Sequence, residues 1–376
     1  MAHILAVSLA SLLLAVGLPA AAEPGVTADR ILIGQTVSLT GQVAGSVKEL
    51  TEGAHAYIAQ VNRQGGVHGR KIEILTLDDR FDPALAAKNA DLLVNKEGVF
   101  AMFLNRATPH TEAILPILEA GGVPLVAPST GAAIFHDPPN RLVFNVRAKY
   151  QDEVAKAVEH FTTIGMNSIA IAHVDDSFGL DSLAGFQREM RARNLPSAGE
   201  ITFSRAKPDI PAAIDAILKA EPHALIIVGS ATTTTALIKG IRAAGNQMQI
   251  MTLSNNSSQA FVKNLGKEGF GVIVSQVTPA PHLVTTGLGQ EFKQVAEESG
   301  ATISYAAMEG FVAAKVLVEG LRRAGRNLTR DGFIRALESM HKLDFGGLMV
   351  DYGPNDRTGS EFVELTMIGR DGRFVR

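Results

Sequence analysis

Hydroxyl side chains follow one of the short apolar runs in this sequence at the point where a strand would end. After Val-Pro-Leu-Val-Ala at 123–127 the chain continues with Pro128, Ser129, Thr130 and Gly131. Pro, Ser and Gly are common turn residues, so a simple turn explains this stretch taken alone. In open α/β sheets, however, ligands bind at the carboxyl ends of the strands. A binding site for a small polar molecule is therefore the second interpretation.

The same pattern recurs after four further apolar runs. Polar or aromatic side chains follow these runs at Asn105 and Thr108, at Asp175, Asp176 and Phe178, at Ser230, and at Ser254 and Asn255. Each position taken alone is explained by capping of a following helix. Helix N-termini also attract carboxylate or phosphate groups, and nearby hydroxyls can complete the coordination. Together the five sites predict a polar, uncharged cleft between two halves, suited to a small anion rather than to bond breaking.

Signatures of catalysis are missing from the sequence. There is no Gly-x-Gly-x-x-Gly after the first predicted strand, no phosphate-binding Gly-x-x-x-x-Gly-Lys-Ser/Thr and no Gly-x-Ser-x-Gly. The histidines show no His-x-x-x-His pairing, and cysteine is absent, so neither a thiolate nor a paired-histidine metal site is expected. The sequence predicts a protein that is not an enzyme and that carries no cofactor.

Charge argues against two classes of partner. The formal net charge is −3, from 35 basic and 38 acidic residues, and no long basic run occurs. Nucleic acids and anionic membranes attract proteins through concentrated positive charge, so neither is expected as a partner. The absence of cysteine also excludes a lipid-modified N-terminal cysteine, which leaves a freely diffusing protein.

The N-terminal segment predicts export. Residues 1–22 are apolar, lack any charged side chain, and end in Ala20-Ala21-Ala22 before Glu23-Pro24. Small residues at this place are typical of signal-peptide cleavage, although the usual Lys or Arg at the start is missing. An uncleaved membrane anchor is the alternative, since the apolar run nearly reaches spanning length. We expect a periplasmic protein with cleavage near Ala22.

Short apolar runs alternate with helical patterns along the chain, which predicts parallel sheets built from βαβ units. The first series runs to about residue 127, and the second from about 168 to 277. Three helical stretches follow at 288–299, 304–324 and 330–341, and the tail predicts a hairpin around Asp371-Gly372. The expected fold class is α/β, with two doubly wound lobes.

Several blocks resemble a known family. The run Asn-x-x-Gly-Gly-Val-x-Gly-Arg at 62–70, with the Asp-Asp pair that follows, and the blocks at 107–132, 345–353 and 358–374 resemble the leucine/isoleucine/valine-binding proteins. These are periplasmic substrate-binding proteins of ABC transporters. The resemblance implies the type I periplasmic-binding-protein fold, in which two lobes joined by three crossings close on a ligand. It places lobe 1 at 26–146 with 277–346 and lobe 2 at 147–276 with 347–376.

The resemblance also implies a ligand site. The implied contacts are Ala107, Thr108, Ser129 and Thr130 for the ligand's carboxylate, Phe178 as a cover from the second lobe, Tyr150 in a crossing segment, and Ser46, in the loop after the first strand, for the side-chain pocket. Asn105, Ser230 and Ser254 complete the candidate set. Branched-chain binders place an acid for the ammonium where this sequence has Ser254 or Asn255, so a carboxylate without an ammonium is expected.

The implied partners are a small-molecule carboxylate or amino-acid-like ligand and an ABC permease in the inner membrane, with the protein as a monomer. The alternative function is a ligand-sensing module of the same fold that feeds a membrane signalling protein.

Overall fold

The first lobe is built on a parallel five-stranded sheet. The computed structural model describes residues 23–376, so the predicted signal peptide at 1–22 lies outside the described residues. The strands of this sheet are β1 (Arg30–Val37), β2 (Lys71–Asp78), β3 (Ala101–Phe103), β4 (Leu125–Val126) and β5 (Val143–Phe144). Their order is β2-β1-β3-β4-β5. Strands β3, β4 and β5 are buried along their whole length, as expected where helices cover both faces of a parallel sheet.

Six helices belong to this lobe. They are α1 (Ala44–Arg63), α2 (Pro83–Asn95), α3 (Thr108–Gly121), α9 (Gly287–Ser299), α10 (Tyr305–Ala324) and α11 (Arg330–Glu338). Helices α1 and α10 pack closely because glycines lie where they cross. A Cβ at Gly53 would stand 1.9 Å from the carbonyl oxygen of Ala307, and one at Gly310 would stand 1.8 Å from that of Leu50. The predicted C-terminal helices therefore complete the first lobe.

The second lobe is built on a seven-stranded sheet. Its strands are β6 (Ile169–Val174), β7 (Gly199–Phe203), β8 (Ala224–Val228), β9 (Gln249–Thr252), β10 (Ile273–Gln276), β14 (Glu364–Ile368) and β15 (Phe374–Val375). The order is β15-β14-β10-β9-β8-β6-β7, and only the pairings of β14, with β10 and with β15, are antiparallel. The predicted C-terminal hairpin thus forms an edge of this sheet.

The helices of the second lobe include two that the sequence analysis did not predict. The helices are α4 (Tyr150–Thr163), α5 (Ser177–Ala192), α6 (Ile210–Ala220), α7 (Ala231–Ala243) and α8 (Gln259–Leu265). The unpredicted ones are α4 and α8. Helix α4 carries its buried apolar side chains at helical spacing, at Val154, Ala157, Val158 and Phe161. Within the described chain no helix combines the length and apolarity that crossing a bilayer requires.

The last crossing between the lobes lies later than the predicted boundary at 347. Strands β11 (Leu343–Asp344), β12 (Met349–Gly353) and β13 (Asp356–Gly359) form a small antiparallel sheet. Val350 and Tyr352 on β12 are buried in the core of the first lobe, and the Tyr352 hydroxyl donates to the Asn145 carbonyl at 2.6 Å. Only β14 and β15 join the second sheet, so the chain crosses at about 360–363. The crossing lies later than predicted because the alternating apolar side chains of β12 pack in the core of the first lobe.

Candidate functional site

A narrow cleft lies between the two lobes. Its walls are formed by Val43, Phe81, Arg106, Ala107 and Ser129 from the first lobe and by Tyr150, Phe178, Arg205, Ser230 and Asn255 from the second. The space between these walls measures about 20 Å³, which is room for roughly one water molecule. Five of the ten candidate residues from the sequence lie in these walls: Ala107, Ser129, Tyr150, Phe178 and Ser230.

The loops after β3 and β4 are held together by their backbones. The Ser129 N–H donates to the Asn105 carbonyl at 2.7 Å, and the Ala107 N–H donates to the Ser129 carbonyl at 3.3 Å. Ala107 has a φ of 78°, which is unfavourable for a residue with a Cβ. Such strain tends to persist at functional sites, where surrounding structure imposes it. The strand-end loops that the sequence singled out therefore do meet at the cleft.

Thr108 and Thr130 lie beneath the wall rather than in it. Their hydroxyls share a hydrogen bond of 2.8 Å, and both residues are fully buried. Asn105 is also fully buried, and its amide donates to the Thr111 hydroxyl at 2.7 Å. In this conformation the two threonine hydroxyls bond each other, the Thr130 hydroxyl also accepts the Ala132 N–H at 3.4 Å, and Asn105 bonds helix α3. Their contact with a ligand carboxylate stays a prediction, and only the hydroxyl that accepts within the threonine pair keeps a proton to donate to a ligand.

Gly131 lets the loop after β4 approach helix α4. A Cβ there would stand 2.6 Å from the Ala148 carbonyl oxygen and 2.8 Å from the Tyr150 nitrogen. The Tyr150 N–H instead donates to the Gly131 carbonyl at 2.8 Å. This contact sets the start of α4 and so places the Tyr150 ring at the cleft. The glycine after the two hydroxyls thus has a structural reason of its own.

Tyr150 and Phe178 form an aromatic pair in the cleft. Their ring centroids lie 4.6 Å apart with an interplanar angle of 54°. Phe178 sits in the first turn of α5, where Asp176 caps the helix by accepting the Phe178 N–H at 3.0 Å. The Arg147 guanidinium lies 4.8 Å from the Tyr150 ring centroid. Burial raises the pKa of Tyr150 above its ordinary value, and Arg147 opposes that rise, so the phenol stays protonated at neutral pH.

Ser254 belongs to a buried ionic network and does not line the cleft. Its hydroxyl accepts from Arg147 at 2.5 Å and donates to Glu153 at 3.0 Å. Glu153, fully buried, also accepts from the Ser254 N–H at 2.8 Å and from the Ser275 hydroxyl at 2.5 Å. Burial alone would lower the pKa of Arg147, but Glu309, Tyr150 and Glu153 raise it above its usual value. The network joins the segment at 147–153 to Ser254 and to Ser275 on β10.

The last two candidates from the sequence, Ser46 and Ser230, both lie at the start of a helix. Ser46 was expected in a loop after β1, but it lies in the first turn of α1, where its hydroxyl donates to the Val43 carbonyl at 2.9 Å. Ser230 caps α7 by accepting the Thr233 N–H at 3.3 Å, and its hydroxyl donates to Gln42 of the first lobe at 3.3 Å. Ser46 bonds its own helix, whereas Ser230 reaches across the cleft.

Arg106 is the main cleft residue that the sequence analysis did not select. It lies between Asn105 and Ala107 in the loop after β3, and its guanidinium donates to the Asn255 carbonyl in the second lobe at 2.8 Å. Burial lowers the pKa of Arg106, while Glu309 acts to raise it. The available signal was an arginine within a strand-end loop rich in polar residues. The direction of its side chain across the cleft follows only from the tertiary structure.

A second bridge between the lobes lies outside the cleft. The carboxylate of Glu49 on α1 accepts the N–H groups of Gln259 at 2.9 Å and Ala260 at 2.8 Å, at the start of α8. Glu49 is 5% exposed, so water competes little for these bonds. Thr232 adds a hydroxyl bond of 2.9 Å to the Gln42 carbonyl. The lobes are therefore in direct contact, and the described conformation is closed.

The Phe81 ring contacts a side chain from each lobe in the cleft. Its ring stacks on His110 with centroids 5.1 Å apart and an interplanar angle of 25°. The Arg205 guanidinium from the second lobe lies 4.9 Å from the Phe81 ring centroid. Phe81 also has a φ of 62°, rare for an aromatic residue. Neither Phe81 nor Arg205 was selected from the sequence.

The chain matches known proteins over most of its length. The family model described as periplasmic binding protein matches residues 30–373. The Leu/Ile/Val-binding protein of Escherichia coli strain K12 is 21% identical over 250 residues, which is 66% of this chain and 68% of that protein. A leucine-, isoleucine-, valine-, threonine- and alanine-binding protein of Pseudomonas aeruginosa is 31% identical over 136 residues, 36% of each chain.

Solved structures agree with this assignment. A substrate-binding periplasmic protein from Ralstonia solanacearum superposes with a TM-score of 0.86 at 29% identity, covering 92% of this chain and 99% of that one. A branched-chain amino acid ABC transporter structure from Thermus thermophilus with bound valine gives a TM-score of 0.82 at 17% identity, over 92% and 95% of the two chains. That second likeness shows the fold alone. The fold and the family predicted from the sequence are thereby confirmed, and this chain belongs to the periplasmic binding protein family.

Proposed function

We propose that this protein captures a small carboxylate or amino-acid-like solute between its two lobes and delivers it to an ABC permease in the inner membrane. One observation carries the proposal: side chains from both lobes converge on a single cleft, and Arg106 of one lobe bonds Asn255 of the other across it. A solute held between such walls stabilises the closed form by its extra contacts in that form. The protein works through this equilibrium and catalyses nothing.

The cellular location and the oligomeric state are part of the same proposal. The predicted signal peptide at 1–22 would direct the chain to the periplasm, where cleavage near Ala22 would release a freely diffusing monomer. N-terminal sequencing of the secreted protein and its molar mass by light scattering test these two points. A chain that retains residues 1–22 would contradict export with cleavage, and a dimer mass would contradict the monomer.

A thermal-shift screen over small acids and amino acids tests the binding role. A ligand that binds only the folded state raises the melting temperature by mass action, by about 2.7 kcal/mol of stability when its concentration is about 100 times its Kd. Hits are then examined by small-angle scattering, which should show compaction when the solute is added to protein that is partly open. No hit over a broad panel, or a hit without any change in shape, would count against solute capture.

Phe178→Ala probes the second lobe's part in capture. The substitution removes a ring that packs on Tyr150, and we expect weaker binding of the screened solute with the fold intact. Phe270→Ala is the matched control, because Phe270 is 46% exposed and lies outside the cleft. Equal affinities of the two variants would argue against a clamping role for Phe178. Loss of solute uptake by cells that lack the gene would test delivery to a permease.

A further inference from the structure

The charge lining the cleft is positive. Within residues 23–376 the cleft walls contain two arginines, Arg106 and Arg205, and no Asp or Glu. Arg205 has an ion-pair partner, since it bonds the carboxylate of Asp176. Arg106 has none in the described chain within 4.0 Å, and its one hydrogen bond is to the neutral carbonyl of Asn255. The two cleft cations therefore differ: Arg205 contacts a carboxylate directly, and in the described chain Arg106 has no carboxylate within 4.0 Å.

The nearby acids are engaged elsewhere. Glu153 contacts Arg147 at 2.5 Å, and Glu309 contacts Arg147 at 3.6 Å and accepts the Ser129 hydroxyl at 2.9 Å. Arg106 is buried, with 7% of its surface exposed. A buried cation without a counter-ion is costly, and an anionic ligand would offset that cost. A carboxylate can accept two parallel N–H bonds from a guanidinium, which a backbone carbonyl cannot.

The rest of the cleft is rich in aromatic rings. Phe81, Tyr150 and Phe178 enter it from three different elements of the two lobes. Phe81 keeps a φ of 62° to do so, a conformation that costs about 1–3 kcal/mol in a residue with a side chain. Aromatic rings pack favourably on one another in tilted or offset arrangements. A flat apolar group is therefore the ligand portion that these walls suit.

We infer that the cleft selects an aromatic monocarboxylate, whose carboxylate pairs with Arg106 and whose ring packs among Phe81, Tyr150 and Phe178. The inference rests on the proposed function and narrows its solute class. The ligand's carboxylate replaces the Asn255 carbonyl as the acceptor of the Arg106 bond, and the lobes close again around it. An α-amino acid fits less well, because its ammonium would face walls that hold two cations and no acid.

Calorimetry with four probes tests the inference: benzoate, benzamide, phenylalanine and leucine. Benzoate should bind, and benzamide, which keeps the ring but lacks the charge, should bind roughly 10–100-fold more weakly, the range for a hydrogen bond to a charged group. Phenylalanine and leucine should also bind more weakly than benzoate. These comparisons use the unaltered protein, so they do not depend on whether a variant folds.

Arg106→Gln should lose benzoate affinity by a similar factor, and Arg106→Lys should recover part of it. Arg141→Gln is the control, since Arg141 is exposed and pairs with Asp331 on the surface. The inference is overturned if benzoate does not bind, if benzamide equals benzoate, if either amino acid binds tighter, or if folded Arg106→Gln binds benzoate normally. Binding of some other solute in the thermal-shift screen, with compaction in small-angle scattering, would then leave the proposed function standing and remove only the aromatic class.

Discussion

The guanidinium of Arg106 in the first lobe donates a 2.8 Å hydrogen bond to the backbone carbonyl of Asn255 in the second. The bond exists only while the lobes are closed, because its two ends belong to different lobes. It therefore adds stability to the closed form selectively, which is what shifts an equilibrium between two conformations. The acceptor is a backbone carbonyl, which any residue at position 255 would supply. Of the two residues, only Arg106 contributes a side chain to this bond.

Glu49→Gln should shift the protein towards an open form. The Glu49 carboxylate accepts two N–H groups at the start of α8, one on each oxygen, whereas a glutamine offers one uncharged oxygen and turns an NH2 group towards the other N–H. Losing part of a charged hydrogen-bond pair costs about 1.5–3 kcal/mol in the closed form alone. Small-angle scattering without added solute should show a larger radius of gyration.

Glu52→Gln is the control for this experiment. Glu52 lies one turn further along α1 and bonds Thr302 within the first lobe, so it does not bridge the cleft. The idea of a closing contact at Glu49 fails if both variants keep the radius of the parent protein, or if both expand equally.

The threonine pair predicts a non-additive double-mutant cycle. Thr108 and Thr130 share a 2.8 Å hydrogen bond with no exposure to water. Thr108→Val or Thr130→Val should each lower the free energy of unfolding by about 1–3 kcal/mol, since the remaining hydroxyl is left buried without its partner. The double variant should lose less than the sum of the two. Urea denaturation measures all three, and strict additivity would mean that the hydroxyls do not depend on each other.

Gly131→Ala should disturb the cleft through helix α4. The added Cβ meets the Ala148 carbonyl oxygen at 2.6 Å, so either the loop after β4 or the start of α4 must move. We expect weaker binding of the screened solute together with a lower melting temperature. Gly353→Ala is the matched control, because a Cβ there has no neighbour within 4 Å. Unchanged affinity in Gly131→Ala would show that the position of Tyr150 tolerates the shift.

Much of the fold was predictable because the buried strands are continuous apolar runs. The helices predicted at 288–299 and 304–324 lie at Gly287–Ser299 and Tyr305–Ala324, so periodicity placed their ends within a residue. Helix α4 was missed although Val154, Ala157, Val158 and Phe161 have helical spacing, so its signal was present. The β12 strand was assigned to the wrong side of a crossing because alternation indicates a buried face but not which lobe buries it.

The sequence indicated which loops form the site, but not which partners their side chains contact. Strand-end position indicated the loops at Ala107 and Ser129, and both residues line the cleft because parallel strands end at one edge of a sheet. It could not indicate that Thr108 and Thr130 bond each other, because that pairing joins residues from two separate loops. It also passed over Arg106, whose role depends on a side chain that crosses to another lobe.

Two buried histidines predict loss of stability in acid. Burial lowers the pKa of His110 to about 4, helped by Arg205, and lowers that of His136 to about 3, helped by Lys149. Both values lie below the ordinary 6.5, so the unfolded chain binds these protons first as the pH falls. Each histidine therefore contributes its full stability above about pH 6.5 and loses about 1.4 kcal/mol per pH unit below it.

The loss should level off near pH 4 for His110 and near pH 3 for His136. Asp79, 4.0 Å from His110, opposes part of it, because burial raises its pKa and the folded protein then binds its proton first. Urea denaturation at pH values from about 7.5 to 4.5 gives the free energy of unfolding as a function of pH. This free energy should fall less steeply with decreasing pH in His110→Gln than in the parent protein, by about 1.4 kcal/mol per pH unit, the slope that one bound proton contributes. His223→Gln, at an exposed position, is the control. Parallel slopes for the parent and His110→Gln would mean that His110 is not held neutral in the fold.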